Sequence, residues 1–288
     1  MDSGERAMEM LSRIIAPWRY LTAPVFVGLD RIPDDRPVFF VGNHTLMGML
    51  DVPLMMAGLW EKKGIVLHSL GDRLHFGLPG WRDLISVFGV IEGSPENCRQ
   101  AMRDGKSIVV FPGGAREVMK RRDEKYKLIW GNRSGFARIA LETGYTIVPF
   151  ASVGADDCFD MLLDGNDLLK SPLGGLIERF YPRPDFLPPI VRGIGLSPIP
   201  RPERFYFHFA EPIASDPERF GGDHNDPAAC GRLRDAVKHG VEDGISVLLE
   251  RRSRDPQRRL RDRLLGARPE REQRADTNSA ADGDERTV

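Results

Sequence analysis

Val38-Phe39-Phe40-Val41-Gly42-Asn43-His44-Thr45-Leu46-Met47-Gly48-Met49-Leu50-Asp51 is the stretch whose reading decides the fold. Val38 to Val41 is short, β-branched or aromatic throughout and closed by glycine, which predicts a buried strand. His44 then falls just past the carboxyl end of that strand, with an acid, Asp51, a few residues on. In open α/β sheets the loops beyond those ends form the ligand crevice. An imidazole placed there, with a carboxylate to fix its tautomer, has what a general base needs. His44 is therefore expected to deprotonate a hydroxyl.

Working outward, the chain alternates strands and helices. Val52 to Trp60 reads as a very apolar helix whose methionines are core filler or the mouth of an alkyl pocket. Gly64 to Ser69 and Ile85 to Ile91 read as strands. Ser94 is a natural N-cap, Pro95 suits the first helical position, and Asn97 to Arg103 continues the helix to a left-handed cap at Gly105. Ser107 to Phe111 is a buried strand that runs into Pro112-Gly113-Gly114-Ala115-Arg116-Glu117. The pattern repeats with a helix over Ser134 to Thr143, a cap at Gly144 and a strand over Thr146 to Phe150. Phe205, Phe207 and Phe209 alternate as in a half-buried strand, after a proline-rich connection over Pro182 to Pro202. Such alternation predicts an α/β fold, a mainly parallel sheet flanked by helices.

At the start, Met8, Leu11, Ile14 and Ile15 recur at helical spacing and predict an amphipathic N-terminal helix ending at Pro17. Trp18 and Tyr20 behind it suit a membrane–water boundary, or the helix simply covers the core. The expected organisation is a helical segment over residues 1–34, an α/β domain over 35–250 and a basic, disordered tail over 251–288.

Composition bounds the function. A net charge of −1 gives no electrostatic case for nucleic acid. Cys98, Cys158 and Cys230 fit no metal or redox spacing, and an odd count without a secretory segment suggests a reducing compartment. The apolar early region, Met8 to Leu29, is interrupted by Arg13, Pro17, Arg19 and Pro24, whereas a membrane span needs roughly 20 apolar residues. His68, His75, His208, His224 and His239 read as structural. Asp156 and Asp157 are too few for a metal site, Glu124 to Lys127 reads as a solvated charged stretch, and no metal is expected.

Two strand-end loops carry the chemistry, Gly42-Asn43-His44 and Phe111 to Glu117. Paired glycines let the backbone approach a ligand and expose N–H donors. Arg116 adds a charged fork suited to phosphate or carboxylate, or to an internal ion pair. The ordered blocks His44…Asp51, Phe88-Gly89-Val90-Ile91, Phe111 to Glu117 and Ile147-Val148-Pro149-Phe150 resemble those of the glycerolipid (PlsC-type) acyltransferase superfamily. The Gly-Gly-Ala-Arg-Glu run, Glu124 to Trp130, Phe136-Ala137-Arg138 and Val153 to Asp157 resemble its diacylglycerol acyltransferase and phytyl ester synthase branch.

That resemblance implies a glycerol-phosphate-acyltransferase-like fold and transfer of an acyl group from acyl-CoA or acyl carrier protein to a lipid hydroxyl, with no bound cofactor. In its scheme His44 is the base and Asp51 holds its imidazole. Asn43, Gly113, Gly114, Arg116 and Glu117 line the substrate, and backbone donors near Gly113 and Gly114 stabilise the oxyanion. The partners implied are the lipid acceptor, the acyl thioester and a membrane surface, with the protein peripheral on the cytoplasmic inner face. Two departures stand out. The superfamily places its acid five residues after the histidine, where this chain has Met49; pairing with Asp51 requires a turn over Thr45 to Gly48. The block ending Ile91-Glu92-Gly93 lacks an arginine that would hold a phosphate, which favours a neutral acceptor such as diacylglycerol or a long-chain alcohol over a lysophospholipid or glycerol phosphate. The rivals are a lipid esterase, disfavoured because no Gly-x-Ser-x-Gly elbow occurs, and an inactive lipid-binding protein.

Overall fold

A computed structural model describes residues 3–172, 174–180 and 187–265. In chain order the elements are α1 (Ser3–Ile14), α2 (Ala16–Thr22), β1 (Val25–Val27), β2 (Phe39–Gly42), α3 (Val52–Lys63), β3 (Leu67–Gly71), α4 (Arg73–Phe76), α5 (Trp81–Val87), β4 (Val90–Glu92), α6 (Pro95–Arg103), β5 (Ser107–Val110), α7 (Gly114–Val118) and α8 (Gly135–Thr143). There follow β6 (Ile147–Val153), β7 (Asp160–Leu163), α9 (Gly165–Lys170), α10 (Gly174–Phe180), β8 (Ile190–Arg192), β9 (Tyr206–Phe209), α11 (Pro227–Arg254) and α12 (Leu260–Leu265).

The main sheet has the order β1-β9-β6-β2-β5-β3-β4. β6, β2, β5, β3 and β4 run parallel; β9 joins β6 antiparallel, with β1 parallel to β9. β7 and β8 form a separate antiparallel pair. Successive side chains of a strand face opposite ways. Phe39 and Val41 accordingly pack with α6, α8 and α11, while Phe40 packs with α1 and α3. With helices on both faces the central strands must be apolar throughout, as Phe39–Val41 and Ile147–Phe150 are. The expected α/β architecture, with a mainly parallel sheet, is the one observed.

Three expectations are corrected and one open alternative is decided. Ile85 to Val87 end the helix α5, and only Val90 to Glu92 extend as a strand, because Gly89, at φ +78°, breaks the run. A short apolar run does not distinguish strand from helix. β9 is buried on both faces, not half-buried, since α11 covers Tyr206 and His208. Gly244 permits that approach: a Cβ there would stand 2.8 Å from His208 Nδ1 and 3.0 Å from Ala151 Cβ. Of the two readings of the N-terminal helix, covering the core is the one observed: α1 buries Ala7, Met8 and Leu11 against α3, and Trp18 Nε1, from α2, donates to Leu50 O (3.3 Å), while Tyr20 stays exposed. Finally, the start of the basic tail is packed. Arg252 pairs with Asp157 (2.7 Å) and Glu203 (3.1 Å), and Arg263 donates to Leu21 O (2.6 Å) and Pro202 O (2.7 Å). The expected disorder over Ala267 to Val288 lies outside the described residues.

Candidate active site

The site is built where β2 and β5 end side by side. Past Gly42, Asn43 continues the ladder with its side chain: Nδ2 donates to Ser152 O (2.9 Å) and Oδ1 accepts from Ser152 N (2.8 Å). Asn43, expected to line the substrate, is instead wholly buried, and its amide is spent on Ser152 in fixing the exit of β2. The chain then turns, with Met47 at φ +64° and Gly48 at +61°, and Gly48 N closes on Thr45 O (3.0 Å). Gly48 lies against the imidazole: a Cβ there would meet His44 Cε1 at 2.6 Å.

The His44 ring stacks on Phe111, centroids 4.0 Å apart and planes 16° apart, which sets it against the residue that opens the Pro112-Gly113-Gly114 turn. Its Nδ1 is buried without a protein partner, leaving Nε2 as the nitrogen that can meet a substrate. Burial, reinforced by the positive charge of Lys120, pushes the imidazole pKa down to about 3, so the ring is neutral at physiological pH.

The expected turn over Thr45 to Gly48 exists, but the expected pairing of Asp51 with His44 does not. Asp51 Oδ1 accepts from Thr45 Oγ (2.8 Å) and Oδ2 from Ser152 Oγ (2.6 Å). Gly48 has taken the space beside the ring, and the two buried hydroxyls claim the carboxylate. Burial raises its pKa against those two bonds.

Glu117 takes over the loop instead. Its Oε2 accepts the His44 backbone N–H (3.0 Å) and its Oε1 that of Ile129 (3.1 Å). A Cβ on Gly113 would stand 2.3 Å from Glu117 Oε2, so this glycine is required for space. Glu117, expected to line the substrate, is completely buried, with both carboxylate oxygens engaged by the His44 and Ile129 amides. Burial lifts its pKa to about 7. A raised carboxyl contributes stability that is present below its unfolded value of 4.5 and lost as pH climbs through 7. Glu117→Gln is therefore expected to flatten the fall in melting temperature across that window; an unchanged slope in a thermal-melt series would refute it.

Arg116 is likewise occupied, its guanidinium donating to Glu124 Oε2 (2.9 Å) and Oε1 (2.5 Å). The expected anion contact is thereby corrected to the internal ion pair, and Glu124 is no solvated charge. Arg133 caps the same turn by donating to Pro112 O (3.1 Å) and Gly113 O (2.5 Å). Gly114 takes φ +53°, and its N–H closes the turn on Phe111 O (2.9 Å). Beside Pro112 a cleft of about 370 Å³ opens over Phe39, Leu70, Val110, Phe136 and Ile139.

Sequence reading gave no role to Thr45, Lys120, Tyr126 or Ser152, and gave Asp156 and Asp157 no partner beyond setting aside a metal. Lys120 Nζ donates to Asp156 Oδ2 (2.8 Å), while Asp157 pairs with Lys125, Tyr126 and Arg252. A buried lysine carries no local signature, because its partner lies 36 positions away.

Comparison with known proteins bears on the family and the fold. A sequence model of the family described as Acyltransferase matches residues 24–153, which include β1 to β6. Phytyl ester synthase 1, chloroplastic, of Arabidopsis thaliana is 35% identical over 82% of this chain, and the match spans 36% of that protein. The human DGAT1/2-independent enzyme synthesizing storage lipids is 29% identical over 66% of this chain and 54% of its own. The chain thus spans about a third to a half of the length of these relatives. The crystal structure of the 1-acyl-sn-glycerophosphate acyltransferase PlsC from Thermotoga maritima shares the fold, with a TM-score of 0.50, 16% identity, and coverage of 83% of this chain and 78% of that one.

Proposed function

We propose that this chain, which belongs to the glycerolipid acyltransferase superfamily, moves a fatty acyl group from an acyl thioester to a lipid hydroxyl, with His44 as general base. The observation that carries this is the meeting of His44 with the Gly113 turn: the ring stacks on Phe111, and Glu117 occupies the space under Gly113 while holding the His44 amide. Nε2 takes the proton of the acceptor hydroxyl, whose oxygen attacks the thioester carbonyl. The oxyanion is met by amides of the turn other than Gly114, whose N–H is already used. The intermediate then collapses, breaking the carbon–sulfur bond. The imidazolium returns its proton to the departing thiolate, which leaves as a thiol and restores the neutral base.

The donor is acyl-CoA or acyl carrier protein, and the acceptor a neutral lipid such as diacylglycerol or a long-chain alcohol. The Ile91-Glu92-Gly93 block lacks the arginine of phosphate-acceptor relatives, and the nearby Arg73 is engaged by Glu92 (3.4 Å). The apolar cleft beside Pro112 offers room for a hydrocarbon chain. Among the described residues no helix is long and apolar enough to cross a membrane. For contact with a membrane that holds the acceptor, α4, α5 and the turn between them present exposed Leu74, Leu84 and Leu78.

Incubation with labelled acyl-CoA and either diacylglycerol or a long-chain alcohol tests the reading. New ester supports it; free fatty acid would make the protein an esterase, and neither product a lipid-binding protein. Asp51→Asn is expected to retain most of the transfer rate, since an amide still bonds both hydroxyls. Asp51→Ala strands them and is expected to lower stability by about 1–3 kcal/mol. Initial rates and melting curves of the two variants check this.

A further inference from the structure

We propose that Lys120 is a positioning residue for this transfer, acting on His44 through the backbone of its loop; the inference rests on the reading of His44 as the base. Lys120 lies just past α7, with both its side chain and that of Asp156 only 2% exposed. Lysine is almost never so buried unless paired. Its Nζ donates to Asp156 Oδ2 at 2.8 Å, and Asp156 Oδ1 accepts the Leu46 backbone N–H at 2.6 Å. A chain of two bonds thus runs from the ammonium to an amide two residues from the base.

The same segment grips the loop twice more. Glu117 takes the His44 N–H, and Val118 O takes that of Met47 (3.2 Å). Amides 44, 46 and 47 are therefore held by residues 117, 118 and, through Asp156, 120. Three buried carboxylates gather here from separate elements: Asp51 before α3, Glu117 on α7 and Asp156 after β6. Lys120 is the ammonium placed among them, and its field reaches both His44 and Glu117. Without it Asp156 would be an uncompensated buried charge, which a fold relieves by moving the group or protonating it. Either response loosens Leu46.

Lys120→Met keeps the length and removes the charge. The double variant Lys120→Met/Asp156→Asn also removes the stranded carboxylate, and so guards against simple misfolding. In the full chain, Lys120→Met is expected to lower kcat about 100-fold while the KM values for donor and acceptor hold. Hydrogen exchange at Leu46 and Met47 should quicken, and the acid limb of the kcat profile should move to higher pH as the ring loses a repelling charge. Lys120→Arg should recover part of kcat. The double variant should melt closer to the wild-type protein yet stay slow. Wild-type kcat per folded molecule with wild-type exchange, in either Met variant, overturns the proposal. Should His44→Ala keep full turnover, the assignment of the base falls instead, and the exchange rates at Leu46 and Met47 still decide whether Lys120 holds the loop.

Discussion

His44→Ala is expected to abolish acyl transfer, by about 10²- to 10⁴-fold if a background rate is measurable, while leaving the fold intact. The ring is half-buried, its Nδ1 makes no bond to the protein, and its main contact is a stack on Phe111. The grip on the loop is through the backbone N–H, which alanine retains. The same variant has a second signature. In the folded protein the imidazole pKa is depressed from 6.5 to about 3, so its contribution to stability is present above 6.5 and is lost as pH falls toward 3. Removing the ring should therefore make the protein relatively more resistant to acid across that window. Turnover near the wild-type rate, measured with labelled thioester, would discard the base; an unchanged acid melt would discard the buried, neutral ring.

Gly113→Ala is expected to be nearly as damaging, for a different reason. The added carbon would stand 2.3 Å from Glu117 Oε2, 2.5 Å from its Cδ and 2.6 Å from its Cβ. No rotation of a flexible tip relieves three such contacts, so Glu117 must leave, and with it the acceptor of the His44 N–H. The expected outcome is a loss of kcat of about 100-fold, as for any small displacement of a catalytic group, with a loss of stability of about 1–3 kcal/mol from overpacking. Gly114→Ala is the contrast. Its Cβ would point into open space, and the cost is only that of φ +53° for a residue with a side chain, about 1–2 kcal/mol. If both variants keep wild-type kcat, Glu117 does not hold the loop.

The sheet was legible because its central strands are buried on both faces and therefore read as unbroken apolar runs, and because Gly105 and Gly144 stop their helices at positive φ. Residues 85–91 were misread because glycine at 89, not hydrophobicity, decides where helix gives way to strand. In the site, His44 and the Gly113 turn were visible as short local patterns. What positions them was not. Asn43 finds Ser152 109 positions away, and Leu46 finds Asp156 110 positions away. Asp51 was placed on the right loop and given the wrong partner, because the spacing in sequence does not reveal the two hydroxyls that compete for it.

The sheet's far edge bears on how the protein is made. β1 is made well before its neighbour β9, where Val25 pairs with Tyr206, and β6 has the same late strand on its outer side. Until the chain through Phe209 has left the ribosome, β1 has nothing to pair with and β6 shows an open edge. Nascent chains stalled short of that point should be the ones that recruit chaperones or aggregate, and those extended past it should not.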